Sequence, residues 1–240
     1  MMKLKVLGSS SQGNCYFLEN DEEVLILECG VPVKEIKKEL DWSFRKVRGC
    51  LVTHSHNDHS RSIRDLQSFG VKVFAPRETF EAKNINSPFA FDVETDKAFW
   101  VGRFKVIPLP AKHDVPIVSY LISHPEMGSL LFATDTYILP YEIRGVNHWM
   151  IEANYDKDIL VRDVESGKTN AWLAQRVVKS HMSIGKTLEA VKASGIEWIK
   201  NIVLIHLSDS NSDMESFKRQ MQEISGCHVW VADKGLSITL

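Results

Sequence analysis

His54-Ser55-His56-Asn57-Asp58-His59 follows directly on the strand-like stretch Cys50-Leu51-Val52-Thr53 and precedes Ser60 to Phe69, whose apolar residues fall at helical spacing. Three imidazoles and a carboxylate within six positions, at the junction of a buried strand and a helix, form a metal-ligand pattern rather than a polar loop that happens to be rich in His. Residues two apart at a strand end point the same way, so His54 and His56 can share one cation. Asp58 and His59 are adjacent, project differently and suit a second cation close by. Imidazole nitrogen favours zinc and similar borderline metals, and carboxylate adds a harder oxygen.

Further donors stand at the ends of apolar runs elsewhere. His113-Asp114 follows Val106-Ile107-Pro108-Leu109, Asp135 follows Leu130 to Thr134, and His206 follows Ile202 to Ile205. Any one of these alone is an ordinary hydrogen-bonded loop residue; the recurrence of one placement points to a common site. Around these donors the first half reads as an antiparallel opening meander (Leu4 to Leu7, Cys15 to Glu19, Glu23 to Leu27). A helix over Val33 to Leu40, a strand over Arg48 to Thr53, a helix over Ser60 to Phe69 capped by Ser60, a strand over Val71 to Ala75 and a helix over Arg77 to Lys83 follow. Ala98 to Leu109, Ile117 to Ser123 and Ser129 to Thr134 predict strands, and Val161 to Glu165, Ala171 to Lys179, Ile184 to Ala193 and Asp213 to Ile224 predict helices. Strands over Ile202 to Ile205 and His228 to Ala232 complete the pattern. No repeat, low-complexity tract or domain-joining linker interrupts it, so residues 1–240 are expected to form a single domain.

The bulk numbers are those of an ordinary globular chain: 29 Lys+Arg against 31 Asp+Glu, 44% hydrophobic and 25% charged residues, and a formal net charge of −2. They exclude collagenous, disulfide-stapled and disordered classes, and they imply no global attraction to nucleic acid or membrane. No apolar run reaches the roughly 18 residues of a membrane span, and Met1 to Gly8 lacks the apolar core of a signal peptide. The expected location is cytoplasmic, with no membrane partner. Cys15, Cys29, Cys50 and Cys227 make no CxxC pair and read as buried, reduced thiols. The basic residues Arg61, Arg64, Arg162, Lys168, Arg176 and Lys179 are scattered candidate contacts for a polyanion, each alone reads as part of a solvated helix face, and the sequence shows none of the aromatic-interleaved basic tract of a dedicated single-strand binder. His124, His148 and His228 have no partner pattern and read as surface or satisfied polar positions. No pattern fixes an oligomeric state.

In the order HxHxDH, His, Asp, His, the chain resembles the metallo-β-lactamase superfamily over nearly its whole length. The resemblance implies an α+β fold, an αββα sandwich of two mixed sheets packed face to face with helices outside, and a dinuclear metal site at one edge. It implies that His54, His56 and His113 hold the first metal, that Asp58, His59 and His206 hold the second, and that Asp135 bridges both. Two divalent ions are then the expected cofactor, zinc first, with manganese or iron according to supply. Members with a Cys in the bridging region are typically true β-lactamases, and Asp135 argues against that branch. Gly8 to Asn14, Glu152-Ala153-Asn154-Tyr155-Asp156, His181-Met182-Ser183 and His206-Leu207-Ser208 are together similar to the YycJ/WalJ branch and its phage relatives, which are regarded as nuclease-like phosphodiesterases. Two positions depart from that branch: Glu28-Cys29-Gly30 replaces its Asp-x-Gly, and Ser62 stands where Gly is usual. A Glu in place of Asp lengthens the arm by one methylene, so the hydrogen bonds that orient the metal loop are expected to be rearranged.

The resulting expectation is a metal-dependent phosphodiesterase acting on DNA or RNA, in which paired metals activate a bridging water and polarise the phosphoryl group. Asp58 is the candidate to accept or orient the water proton. His181 is the candidate donor to the leaving alkoxide, although a helix cap beside Ser183 is an equally ordinary reading. The Ser9 to Asn14 loop, with Ser10, Ser11 and Asn14 as its candidate contacts, can offer an anion hydroxyls and N–H groups, or simply form a tight turn. Glu152 and Asn154 are expected to organise the site rather than react. Thioester or lactone hydrolysis is the competing enzyme reading. A non-catalytic metal-binding protein is disfavoured, because every ligand position implied by the resemblance is filled. Only 71 positions separate Asp135 from His206, too few for the large inserted domain of RNA-processing relatives.

Overall fold

Runs such as Val24-Leu25-Ile26-Leu27 and Leu130 to Ala133 carry no polar face, so strands built from them need cover on both sides. A computed structural model, which describes residues 1–240, provides that cover in four layers. The first half contains β1 (Lys3–Ser10), β2 (Gly13–Glu19), β3 (Val24–Leu27), α1 (Val33–Glu39), β4 (Val47–Leu51), α2 (Asn57–Ser60), α3 (Ile63–Ser68), β5 (Val73–Ala75), α4 (Arg77–Ala82) and β6 (Ala90–Asp92). β7 (Phe99–Val101), β8 (Phe104–Pro110), β9 (Val118–His124), β10 (Gly128–Ala133) and β11 (His148–Glu152) follow. A helical stretch of α5 (Lys157–Glu165), α6 (Ala171–Ser180) and α7 (Ile184–Ala193) precedes β12 (Asn201–Ile205), α8 (Met214–Ser225), β13 (His228–Val231) and β14 (Ser237–Thr239).

The first sheet runs β14-β1-β2-β3-β4-β5-β6 and the second β13-β12-β11-β10-β9-β8-β7. In each, an antiparallel meander passes into parallel strands, from β3 through β6 in one and from β10 through β13 in the other. Parallel strands bring their C-terminal ends to one edge, where ligands collect in sheets of this kind. The period of two along β2 sorts its side chains: Tyr16 and Leu18 enter the layer between the sheets, while Cys15 and Phe17 face the helices α1, α3 and α4. Between the sheets, Tyr16 and Phe132 meet edge-on at 5.7 Å, and the Tyr120 hydroxyl donates to Val52 O at 2.9 Å. Each fully buried apolar side chain in this layer contributes on the order of 2 kcal/mol. α7 and α8 cover the far side of the second sheet through Ile184, Val191, Phe217 and Met221. α5 and α6, capped by Asp156 and Asn170, bury far less, holding together through Tyr155, Leu160 and Ala174. No helix is long and apolar enough to cross a membrane.

Three local expectations are corrected. The helix over Ser60 to Phe69 is two helices, α2 and α3, because the Ser62 N–H leaves the ladder to donate to Cys29 O at 2.9 Å. Ser60 therefore caps nothing; its hydroxyl donates back to Ser55 O and His56 O. Ala98 to Leu109 is a hairpin rather than one strand, turned at Gly102, where φ is 61°. Of the four thiols, Cys227 is partly exposed, whereas the others are buried.

Candidate metal centre

Every donor singled out by position arrives on a loop at the same sheet edge. β4 leads into His54 and His56, α2 carries Asp58 and His59, and β8, β10 and β12 lead into His113, Asp135 and His206. His54, His56, His113 and Asp135 each bring a donor atom within 4.8 Å of the others, and so do Asp58, His59, Asp135 and His206. Asp135 belongs to both sets and splits its oxygens between them. Oδ2 lies 4.0 Å from His54 Nε2 and 3.9 Å from His113 Nε2, while Oδ1 lies 3.3 Å from His59 Nε2 and 3.6 Å from His206 Nδ1. Tetrahedral donors at about 2.1 Å from a common centre stand about 3.4 Å apart. The observed spacings therefore suit a cation in each set.

The hydrogen bonding points the same way. His54 Nδ1 is 2.9 Å from the Thr53 hydroxyl, but its Nε2 is buried without a partner, and so is His206 Nε2. Such orphaned groups cost about 1–3 kcal/mol each, and a divalent cation would satisfy both. The charges complete the fit. Burial alone would raise Asp135, but His206 and His59 facing it hold its carboxyl well below the usual range. Asp58 is likewise held low against the effect of burial, by the facing rings of His206 and His59, whose Nε2 atoms stand 3.5 and 3.3 Å from its Oδ2. His54 is pushed well below the ordinary imidazole value by burial and by His59, and His113 is lowered mainly by burial, so both suit neutral ligands. Burial would lower His206 too, but Asp135, Asp58 and Glu152 raise it to about 10, a sign of a strongly cation-seeking pocket.

Fixed supports hold the donors. Glu28 is fully buried, and its carboxylate accepts the Thr53 N–H at 3.2 Å while lying 3.5 Å from His59 Nδ1. Asn14 Nδ2 donates to Asp58 O and lies 3.2 Å from His59 Nε2. The Thr134 hydroxyl donates to Asp135 Oδ1 at 2.6 Å, and Asn154 Nδ2 donates to His206 O at 2.8 Å. Glu152 Oε1 lies 2.6 Å from His181 Nδ1 and 3.2 Å from His206 Nδ1. Glu28, Asp135 and His206 have φ of 61°, 49° and 55°, left-handed values that cost non-glycine residues on the order of 1 kcal/mol or more. Gly30 permits the closest approach: a Cβ there would lie 1.7 Å from Asp58 O.

Not every expected residue reaches the centre. Ser11 lines the cleft with His56, Asp58, Asp135, His181 and His206. Ser10 belongs to the turn instead, its hydroxyl accepting the Gln12 N–H. It is Ser9, at the start of the same loop, whose hydroxyl accepts the His206 N–H at 3.0 Å and the Tyr16 hydroxyl at 2.8 Å, a support of the metal centre that the sequence did not announce. His181 does not cap a helix through its side chain; Ser183 caps α7, and the His181 ring stacks 5.3 Å from that of His206. Asp114 adds an acid at the rim, 3.1 Å from His113 Nε2 and 3.4 Å from His56 Nε2. His124 and His148 are buried beside Glu23 and Met127 O respectively, and His228 is exposed. Among the scattered basic residues, Arg176 borders the cleft, whereas Arg64 is spent on Lys83 O and Asn84 O and Lys168 on Asp163. The Ser62 hydroxyl, where a Gly was expected, donates to Val31 O at 2.7 Å.

Comparison with known proteins agrees with this geometry. The family described as Beta-lactamase superfamily domain matches residues 31–207. Exodeoxyribonuclease WalJ of Streptococcus pneumoniae serotype 2 is 29% identical over 237 residues, spanning 89% of this chain and 84% of that protein. Exodeoxyribonuclease YycJ of Bacillus anthracis is 25% identical over 240 residues, spanning 93% and 89%. Among solved structures, the metallo-beta-lactamase fold protein YhfI from Bacillus subtilis superposes over all of both chains with a TM-score of 0.76 at 16% identity.

Proposed function

Because the chain belongs to the β-lactamase superfamily, we propose that it is a dinuclear-metal-dependent phosphodiesterase that degrades DNA, in keeping with the exodeoxyribonucleases it is similar to. The observation that carries this reading is the joining of two donor sets through one carboxylate, Asp135, with an oxygen turned to each. Residues 1–240 act as one catalytic domain, and a cytoplasmic location accords with four free thiols. His54, His56 and His113 hold one cation, Asp58, His59 and His206 the other, and the imidazole-rich donors favour zinc over manganese or iron.

Two bound cations supply Lewis-acid polarisation of the phosphoryl group and a water that is nucleophilic near neutral pH. The chain's own residues do the rest. Asp58, held in its ionised form, orients the attacking water by accepting a hydrogen bond from it. The bond from phosphorus to the leaving oxygen breaks as the new P–O bond forms, and that oxygen needs a proton. His181 supplies it from Nε2, since Nδ1 is engaged by Glu152; burial opposes the charged ring, but Glu152 raises it above the ordinary imidazole value. Asn14 fixes the backbone of Asp58, and Ser11 stands at the rim, where it can donate to a phosphate oxygen.

The test is a substrate panel for the holoprotein with zinc and manganese in parallel: bis-p-nitrophenyl phosphate, end-labelled DNA, a lactone and a thioester. Both phosphodiesters should be cleaved. His181→Gln should slow DNA cleavage by about 100-fold or more and affect the nitrophenyl ester much less, because nitrophenolate leaves unprotonated. Ready opening of the lactone or thioester with no phosphodiester cleavage replaces the reading with carbonyl hydrolysis.

A further inference from the structure

α6 starts away from the metal centre and ends in it. Its last residue, Ser180, has its carbonyl 2.9 Å from His113 Nδ1, and the next residue is His181. Trp172, Gln175, Arg176 and Lys179 recur at the three- and four-residue spacing of one helix face. With Asp114 and Ser180 they line a hollow of about 240 Å³. Asp114, Arg176 and Ser180 also line the cleft containing His56, Asp58, Asp135 and His206, so the hollow opens into the centre. Trp172 is 69% exposed, and among the exposed Trp residues it is the one that lines a hollow continuous with the cleft, beside Arg176 and Lys179. α6 itself contains no acidic residue. The acid opposite, Asp114, faces His56, His113 and Arg176 at 3.4, 3.1 and 3.9 Å, which leaves Lys179 and the outer side of Arg176 to a partner.

We infer that this face of α6 is the track for a single-stranded DNA end: Trp172 stacks on a base, and Arg176 and Lys179 hold the phosphates leading to the cut. The inference rests on the phosphodiesterase reading and adds to it the form of the substrate. An exposed indole offers its face to an unpaired base, whereas duplex bases are already stacked and paired. The nine residues from Trp172 to Ser180 span about 12 Å, enough to guide a short run of nucleotides. Stacking tolerates any sequence because every base has a π-face, and Arg176 and Lys179 supply the salt-dependent part of the grip.

The experiment compares steady-state cleavage of a labelled single strand and of a blunt duplex by the metal-loaded protein. Trp172→Ala should raise KM for the single strand about 5- to 100-fold with little change in kcat, and Trp172→Phe should recover most of the loss. Arg176→Gln and Lys179→Gln should each reduce the slope of log KM against log salt by about 0.7. Trp198→Ala, at a residue 60% exposed in the α7–β12 connection, should leave KM unaltered. Because Trp172 is exposed, its replacement does not threaten folding. Wild-type protein that cleaves neither DNA nor bis-p-nitrophenyl phosphate removes the phosphodiesterase reading itself. Wild-type protein that cleaves both, with KM unchanged in Trp172→Ala or raised equally for strand and duplex, overturns the α6 track alone. A change confined to oligomeric state by light scattering also overturns it.

Discussion

Gly30→Ala should strip one metal and leave the other. An added Cβ at Gly30 would lie 1.7 Å from Asp58 O, 2.1 Å from Asp58 C and 2.8 Å from His59 N, all of them backbone atoms. An ordinary contact is at least 3.4 Å, so the first turn of α2 must recede by about 1.7 Å or the β3–α1 connection must move by as much. Such a shift strains Cys29 N→His59 O (2.8 Å) and Gly30 N→Asn14 O (2.9 Å). Overpacking costs about 1–3 kcal/mol and two weakened hydrogen bonds about 1 kcal/mol each, about 4 kcal/mol together. For a chain of this size that is a fall in Tm of roughly 8–16 °C. Asp58 and His59 sit within the turn and move with it, whereas His54 and His113 lie outside it and His56 only bounds it as its N-cap, so metal content should fall from about two equivalents to about one. Calorimetry of the metal-free protein and elemental analysis of the loaded one measure the two effects. Gly70→Ala is the control: φ is 78° there and nothing lies within 4 Å of the added Cβ, so it should cost about 1 kcal/mol and keep both metals. Two equivalents in Gly30→Ala with Tm within a few degrees of wild type would refute the reasoning.

Other outcomes follow from the same geometry. Asp135→Asn should lower affinity in both sets at once and abolish hydrolysis while far-UV circular dichroism stays native, because the carboxylate turns an oxygen to each set. Chelation should lower Tm with the logarithm of free metal, the full loss being equivalent to about 4 kcal/mol for an ion held at a thousandfold over its Kd. Glu28→Asp should withdraw the carboxylate from the Thr53 N–H and His59, weakening the set that contains His59 by about 10- to 100-fold, as measured by competition with a chromophoric chelator. His148 gives a pH signature distinct from the metal centre. Burial lowers its pKa to about 4 in the fold, below the unfolded value of about 6.5. Its contribution is therefore fully present above pH 6.5 and is lost as pH falls towards 4, with a slope of up to about 1.4 kcal/mol per pH unit. Urea unfolding at pH 7 and pH 5 should show wild-type protein losing about 2 kcal/mol more than His148→Gln; equal losses would show that the ring protonates freely in the fold.

The donors were legible because their positions are local facts. A period of two at a strand end places His54 and His56, and an apolar run that stops at a polar residue announces Asp135 and His206. The supports were less legible, because their partners are distant in sequence. Ser9 meets His206 across 197 positions, and nothing near Ser9 distinguishes it from Ser10. The break between α2 and α3 was hidden for the same reason: Ser62 gives up its helical hydrogen bond to Cys29, a partner supplied only by tertiary structure. β6 and β14, each three residues long, are too short for an alternation to register and exist because a neighbouring strand offers an edge. Composition identified α6 as a helix, but which of its faces stays bare depends on what α5 covers.

The donors also have a division of origin that matters for how the molecule holds together. His54 and His56 come from the first sheet and His113 and Asp135 from the second; Asp58 and His59 come from the first, Asp135 and His206 from the second. Each cation would thus draw two donors from either half, so neither high-affinity site can exist in one half alone. Metal binding becomes a readout of docking: in native-state hydrogen exchange, amides of β4 and β12 should open independently in the metal-free chain and gain protection together once it is loaded, as though two separate foldons had been riveted into one.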